Sequence, residues 1–342
     1  MIPSIDKIKK GLNNPRQATK YATRKIGSYP RNAFTNTSIF VTSRKPFGKN
    51  IFTEEWDLLI ILDSARYDMM ADLTDEYEFL SNVERIWSVG STSPEWMANT
   101  FSEQYMAEIS RSGYVTDNPH SATVLENDLA ERFQGHRKDI TKLQRYGQYD
   151  IVPAESLGLY DPVWKRDSGE SRYDLYENYG VPRNVTDRAI RTARQNDLDR
   201  LILHYMPPHR PFLINAIRED REPYEYERSP WGYIRKTGDK DTAMGAAKDM
   251  LRWVLDDVEL LLENIDADKV VITSDHGNGF GEFGTYGHPA GSLQQYVRRV
   301  PWVTTTATDS NSYEPEMLTD EDRNRDDKSG VLEERLASLG YL

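Results

Sequence analysis

The chain has 342 residues, 38% of them apolar, which is enough for one large core and allows one to three domains. It has no cysteine, so disulfides, thiolate metal sites and a Cys nucleophile are excluded, and any metal must be held by oxygen and imidazole. The net charge of −12 is unevenly spread: residues 1–50 hold eleven Lys or Arg and one acid, Asp6, for +10, and the other 32 basic and 54 acidic residues leave −22.

That acidic body disfavours nonspecific contact with nucleic acid, and no nucleic-acid partner is expected. No stretch approaches the ~20 apolar residues that a membrane-spanning helix needs. The first residues, MIPSIDKIKKGLNNPRQATKYATRKIG, lack the apolar core of a secretory signal. The expectation is a soluble, cytoplasmic protein.

Residues 1–50 read as a basic arm, rich in Asn, Thr, Ser, Gly and Pro, with only short helical patches. The plain reading of the arm is a solvated tail. Ile2, Ile5, Ile8 and Leu12, however, stand at helical spacing beside Lys7, Lys9 and Lys10, a pattern suited to the surface of an anionic membrane, and the charge contrast equally suits an arm packed on its own acidic body. The catalytic body is expected over residues 51–342. Asp57 to Leu62 (DLLIIL) is a short apolar run, as in a strand of a parallel sheet covered on both faces, and it ends in Asp63. Val83 to Val89 is a second strand, followed by Gly90-Ser91-Thr92-Ser93-Pro94 and a helix from Glu95 to about Ile109, capped by Thr92 or Ser93. Residues 110–200 read as polar insertions carrying short helices. Leu201 to Met206 is a third strand, leading to Pro207-Pro208-His209. A long helix is expected over Asp241 to Asn264. Lys269 to Thr273 is a fourth strand, ending in Ser274-Asp275-His276-Gly277, and Arg298 to Thr304 is a fifth. Strands alternating with helices predict an α/β sandwich with a central, largely parallel sheet flanked by helices.

Four of these strands end in Asp63, Thr92, His209 and Asp275-His276. Ligand sites of open α/β sheets form beyond the carboxyl ends of the strands. The topology therefore gathers two carboxylates, a hydroxyl and imidazoles at one edge. Such donors suit Zn²⁺ or Mn²⁺, and also Ca²⁺ or Mg²⁺, as one or two ions. A metal there would acidify a bound hydroxyl and neutralise an ester anion. Arg66 with Asp68 reads as a structural ion pair, His120 and His204 as structural, and Glu282 as a loop cap.

Asp275-His276-Gly277, then Gly281-Glu282, then Gly287-His288-Pro289 resembles the signature of the sulfatase and alkaline-phosphatase superfamily. The His twelve residues beyond the Asp-His pair resembles the phosphoethanolamine transferases of that superfamily. Thr92-Ser93-Pro94 matches its nucleophile position, His204 to Phe212 its histidine loop, and the strand ending at Asp63 its first metal ligand. The closing LEERLASLGYL is similar to the end of many sulfatases. The matches keep their order from residue 56 to residue 342, which makes the set far more specific than any one motif.

The resemblance implies an alkaline-phosphatase-like fold and hydrolysis or transfer of phosphate or sulfate esters, lipid-linked and glycan-linked ones included. It implies metal ligation by Asp63, Asp275 and His276, a Thr92 that touches the metal and forms the covalent intermediate, and ester contacts, leaving-group protonation or ligation of a second metal by His209 and His288. Formylglycine cannot be made from Thr, and Glu95-Trp96 stand where formylglycine sulfatases carry Ser-Arg. This favours phosphate esters over a sulfatase that works without formylglycine. A non-catalytic binding protein on the same scaffold is the reading from another class.

Overall fold

The computed structural model describes residues 33–126, 138–165 and 180–316, together with Arg335 and Ala337. The stripe from Ile2 to Leu12 and most of the closing segment lie outside the described residues. A seven-stranded sheet runs in the order β2-β9-β6-β1-β5-β3-β4. Its strands are β1 (Leu58–Leu62), β2 (Val83–Trp87), β3 (Ser112–Thr116), β4 (Leu159–Pro162), β5 (Arg200–Tyr205), β6 (Ala267–Thr273) and β9 (Arg299–Ala307). The β6-β1-β5-β3-β4 block is parallel throughout, and β9 is antiparallel to both β6 and β2. A small antiparallel pair, β7 (Gly279–Phe280) and β8 (Tyr286–Gly287), stands apart. The fold is the expected α/β sandwich, with a mixed but mostly parallel central sheet.

The continuous apolar run of β1 follows from burial on both faces. Leu58, Ile60 and Leu62 face one core, whereas Leu59 and Ile61 face the other. The first core is closed by α4 (Pro182–Gln195) and α5 (Lys240–Leu262). Of the stripe expected in α5 at helical spacing, Ala247, Leu251, Val254, Val258, Leu261 and Leu262 are buried and Met244 is partly buried, and Met250 joins them. Asp239 starts that helix by accepting the Thr242 N–H. The second core packs on α2 (Ser93–Thr100), whose Trp96, Met97 and Ala98 are buried. Truncating a buried β1 side chain such as Ile60 to Ala is expected to cost ~2–5 kcal/mol.

Two expectations need correction. Residues 110–200 are not only insertions, because β3 and β4 belong to the main sheet and α4 covers it. The β3 sequence SGYVT has too few large apolar residues to read as a core strand, yet every residue is buried because strands flank it on both sides. The helix expected over Glu95 to Ile109 stops at Thr100, where Phe101 leaves helical geometry at φ −86°, ψ 64°. Residues 33–44, within the arm, form a helix (α1) that packs by Ile39 against Ala290 and against Leu143 of α3 (Lys138–Tyr146).

Candidate metal centre and active site

The carboxyl ends of β1, β5, β3 and β6 meet at one edge, and each delivers polar groups there. Asp63 follows β1 directly. Its Oδ1 accepts the Ser64 hydroxyl at 2.9 Å, and its Oδ2 accepts Asn118 Nδ2 at 2.7 Å and Ser93 Oγ at 3.1 Å. Ser64 sits at φ 61°, a left-handed conformation uncommon outside glycine, and this turn aims its N–H at Asp275 Oδ1, 3.1 Å away. Asp275, past the end of β6, also accepts the His276 N–H at 2.9 Å. Gly277 is required by crowding: a Cβ there would lie 2.4 Å from the Tyr296 carbonyl.

Asp63, Asp275, His276 and His204 are all fully buried. His276 Nε2 lies 3.4 Å from Asp275 Oδ2 and 3.8 Å from Asp63 Oδ1. His204 Nε2 lies 3.8 Å from Asp275 Oδ2 and 4.0 Å from Asp63 Oδ2. Donor atoms of Asp63, His204 and Asp275 all lie within 4.8 Å of one another. His204, read from the sequence as structural, thus lies beside both carboxylates. It is a buried strand residue, but its ring edge faces both carboxylates while Nδ1 pairs with Tyr114 Oη at 2.9 Å.

Electrostatics sharpen this picture. Burial, and then the neighbouring Asp275, raise the Asp63 pKa well above the ordinary carboxylate value. Burial lowers His204 to about 4 and also lowers His276. Neutral imidazoles and two carboxylates thus face one small volume. Asp275 Oδ2 and His204 Nε2, both buried, have no hydrogen-bond partner among the described residues. Orphaned buried donors of this kind are rare without a reason. The set of two carboxylate oxygens and up to two imidazole nitrogens fits a divalent cation such as Zn²⁺ or Mn²⁺.

Two further imidazoles lead away from the carboxylates. His288 stacks on His276 with centroids 4.3 Å apart and an interplanar angle of 22°. His288 Nε2 lies 3.3 Å from His209 Nε2, and His209 Nδ1 lies 2.6 Å from the Arg210 carbonyl oxygen. Burial first, then the adjacent His276 and His209, push the His288 pKa well below its ordinary value.

The two hydroxyls of this turn face different partners. Thr92 is the N-cap of α2, its Oγ1 accepting the Glu95 N–H at 3.3 Å. Ser93 Oγ is the hydroxyl within reach of Asp63, and it also lies 3.4 Å from His276 Nε2. Sequence reasoning missed Ser93, Asn118 and His204. The Thr92-Ser93 doublet was a visible signal for the first, whereas Asn118 was hidden because β3 itself was not legible.

Glu95 and Arg298 hold this edge together. Both are fully buried, and Arg298 Nη2 lies 2.5 Å from Glu95 Oε1. Glu95 Oε2 accepts the Ser91 hydroxyl at 2.6 Å, the Ser91 N–H at 3.0 Å and the Gly291 N–H at 3.2 Å. Despite burial, these partners keep the Glu95 pKa below its ordinary value. Arg66 forms a second clamp, with Asp68 at 2.5 Å and Glu282 at 2.8 Å, and Glu282 caps the loop by accepting the Phe280 N–H.

Fold and site together define an α/β protein with a buried carboxylate–imidazole cluster that could hold a metal ion, and two hydroxyls at a helix start. No family model and no curated protein matches the chain. Among solved structures it is similar to the soluble domain of lipooligosaccharide phosphoethanolamine transferase A from Neisseria meningitidis, at 15% identity and a TM-score of 0.42, over 76% of this chain and 79% of that one. It is similar to the C-terminal periplasmic domain of a phosphoethanolamine transferase from Campylobacter jejuni, at 15% identity and a TM-score of 0.42, over 76% and 83% of the two chains. It is also similar to a 2-O GAG sulfatase, at 13% identity and a TM-score of 0.36, over 84% and 71%.

Proposed function

We propose that the chain is a metal-dependent enzyme that hydrolyses or transfers phosphate esters through a covalent intermediate on the hydroxyl turn before α2. The observation that carries this reading is the buried group of Asp63, Asp275, His276 and His204, with Ser93 Oγ at 3.1 Å from Asp63 and His288 stacked on His276.

Asp63, Asp275 and His276 would hold a divalent cation, with His204 as a further donor. When bound, that cation supplies charge neutralisation for the ester and makes a nearby hydroxyl more acidic. The protein's own groups do the rest. Asn118 and Ser64 fix the Asp63 carboxylate through hydrogen bonds to its two oxygens. A hydroxyl oxygen of the turn forms the new bond to phosphorus as the bond to the leaving-group oxygen breaks. The neutral His209–His288 pair, reached from the same edge, would accept the proton that the hydroxyl gives up and return one to that leaving oxygen. Water or a second alcohol then resolves the ester on the enzyme, giving hydrolysis or transfer respectively.

Thr92 is the nucleophile in this reading, by its match to the position two residues before Pro94. A specific contact favours a second assignment: Ser93 Oγ, not Thr92 Oγ1, touches the ligand carboxylate. Parallel turnover of nitrophenyl phosphate and nitrophenyl sulfate by Thr92→Ala and Ser93→Ala proteins decides. Loss of turnover with retained metal identifies the nucleophile. Preference for the sulfate ester would replace the phosphate reading with a sulfatase that needs no formylglycine. Metal-loaded protein inactive on both esters would favour a binding protein on this scaffold.

A further inference from the structure

Helix α1 is built the wrong way round for a helix whose outer face meets water. Its inward residues are mostly small and polar: Ser38, Thr42 and Ser43 are buried, with Ile39 as the one large apolar anchor. Thr42 Oγ1 points to Glu95 at 3.4 Å, and Ser43 Oγ accepts the Gln148 N–H at 3.0 Å. Its outward residues are large and apolar. Phe34 is 59% exposed, Phe40 50% and Val41 53%, and Phe47, just beyond the helix, is 49% exposed. Scattered exposed apolar residues are ordinary, but Phe34 and Val41, two turns apart, share one side of α1 with Phe40 next to it, and exposed apolar groupings of this kind mark interaction surfaces.

The charge around this face selects the partner. Residues 33–50 contain Arg44, Lys45 and Lys49 and no acidic residue, in a chain of net charge −12. The Arg44 guanidinium lies 3.7 Å over the Phe40 ring, so cation and aromatic group share one patch. Lys49 is paired with Glu54; Lys45 and Arg44, whose Nη1 donates to the Phe40 and Tyr146 carbonyl oxygens, are exposed at the helix end. Aromatic and aliphatic side chains flanked by basic residues fit the boundary between lipid headgroups and acyl chains. A second copy of the same face is disfavoured, since it would set like charges against each other.

We propose that α1 and Phe47 form a docking face for an anionic lipid bilayer, with Phe34, Phe40 and Val41 entering the headgroup boundary and Arg44 and Lys45 contacting anionic headgroups. Through Ile39 and Ala290 this face backs directly onto the loop that carries His288. Docking would therefore hold the catalytic edge close to the lipid surface. The proposal does not depend on the chemistry performed there.

Vesicle co-sedimentation of the full chain tests it. Wild type should bind vesicles of phosphatidylglycerol mixed with phosphatidylcholine, bind pure phosphatidylcholine weakly, and be released by salt. The triple variant Phe34→Ser, Phe40→Ser, Val41→Ser should lose about tenfold or more in partitioning while its turnover of a soluble ester is unchanged. Should that variant melt at a lower temperature, Arg44→Glu with Lys45→Glu replaces it and should show the same loss. Wild type that ignores anionic vesicles overturns the proposal. So does a folded variant that binds like wild type, because docking would then lie elsewhere in the chain. A wild-type dimer that the triple variant dissociates, with no vesicle binding, assigns the face to a second copy instead.

Discussion

Two fully buried carboxylate centres lie side by side at this sheet edge, and the fold treats them in opposite ways. Glu95 has its counter-ion within the chain, Arg298, and its pKa is held down. Asp63 is held by the neutral donors Ser64, Ser93 and Asn118, lies beside Asp275, and its pKa is pushed up. The first centre is completed by folding. The second leaves two carboxyl groups and imidazole lone pairs facing a shared volume, which an external cation would complete. A buried charge that is unpaired costs several kcal/mol, so tolerating the second centre points to function more than to structure.

Substitutions can break or sharpen that contrast. The largest effect is expected at the ligands: Asp275→Ala or His276→Ala should reduce turnover to background and lower the metal content of purified protein, as measured by elemental analysis. Either variant with normal metal stoichiometry and rate would remove the assignment. Next come the outer imidazoles. His288→Ala or His209→Ala should slow turnover about 10²–10⁴-fold, less for nitrophenyl esters than for alkyl esters, because a good leaving group needs no proton. Equal losses on both ester types would remove the general-acid role.

At the paired centre the readout is stability. Glu95→Ala should destabilise by about 3–5 kcal/mol in denaturant melts, since it strands Arg298 in the interior. The sign with pH is fixed by the lowered Glu95 pKa. Its contribution is present above the unfolded-state value of about 4.3 and is lost as pH falls through the folded value. Wild type should therefore lose more stability on acidification than Glu95→Gln does; parallel acid-induced melts that coincide would show that the carboxylate contributes nothing as an ion. Chelation of the metal-loaded protein should cost about 2.7 kcal/mol if the metal had stood at a hundredfold excess over its Kd. The smallest effect has the opposite sign. In metal-free protein, Asp63→Asn should raise stability by about 1 kcal/mol, as relief of strain at functional sites commonly does, and the same variant assayed with metal supplied should be inactive. A fall in stability there would mean that Asp63 is structural like Glu95.

Much of this was legible in the sequence. The apolar runs of β1, β5 and β6 showed themselves because strands covered on both faces have no polar alternation to confuse the reading. The polar groups at their carboxyl ends could then be placed by topology alone, which put Asp63, His209 and Asp275-His276 at one edge. Legibility failed where burial comes from neighbours and not from composition. The strand SGYVT is buried by β4 and β5, so nothing in its own residues pointed to Asn118. It failed again where one element serves two purposes, as with His204, whose place in a strand run concealed the direction of its ring. The order of Thr92 and Ser93 along the chain could not say which hydroxyl a helix start turns outward.

The Glu95 clamp also constrains how this chain can vary in length. One carboxylate fixes the Ser91 N–H, the Gly291 N–H and Arg298, and so measures off the segment between Gly291 and Arg298 against the start of α2. Side chains along that segment, such as the half-exposed Leu293, can change without disturbing either end. An inserted or deleted residue cannot, because one of the two grips would have to be released inside the protein. Homologous chains should therefore differ there in spelling but not in residue count.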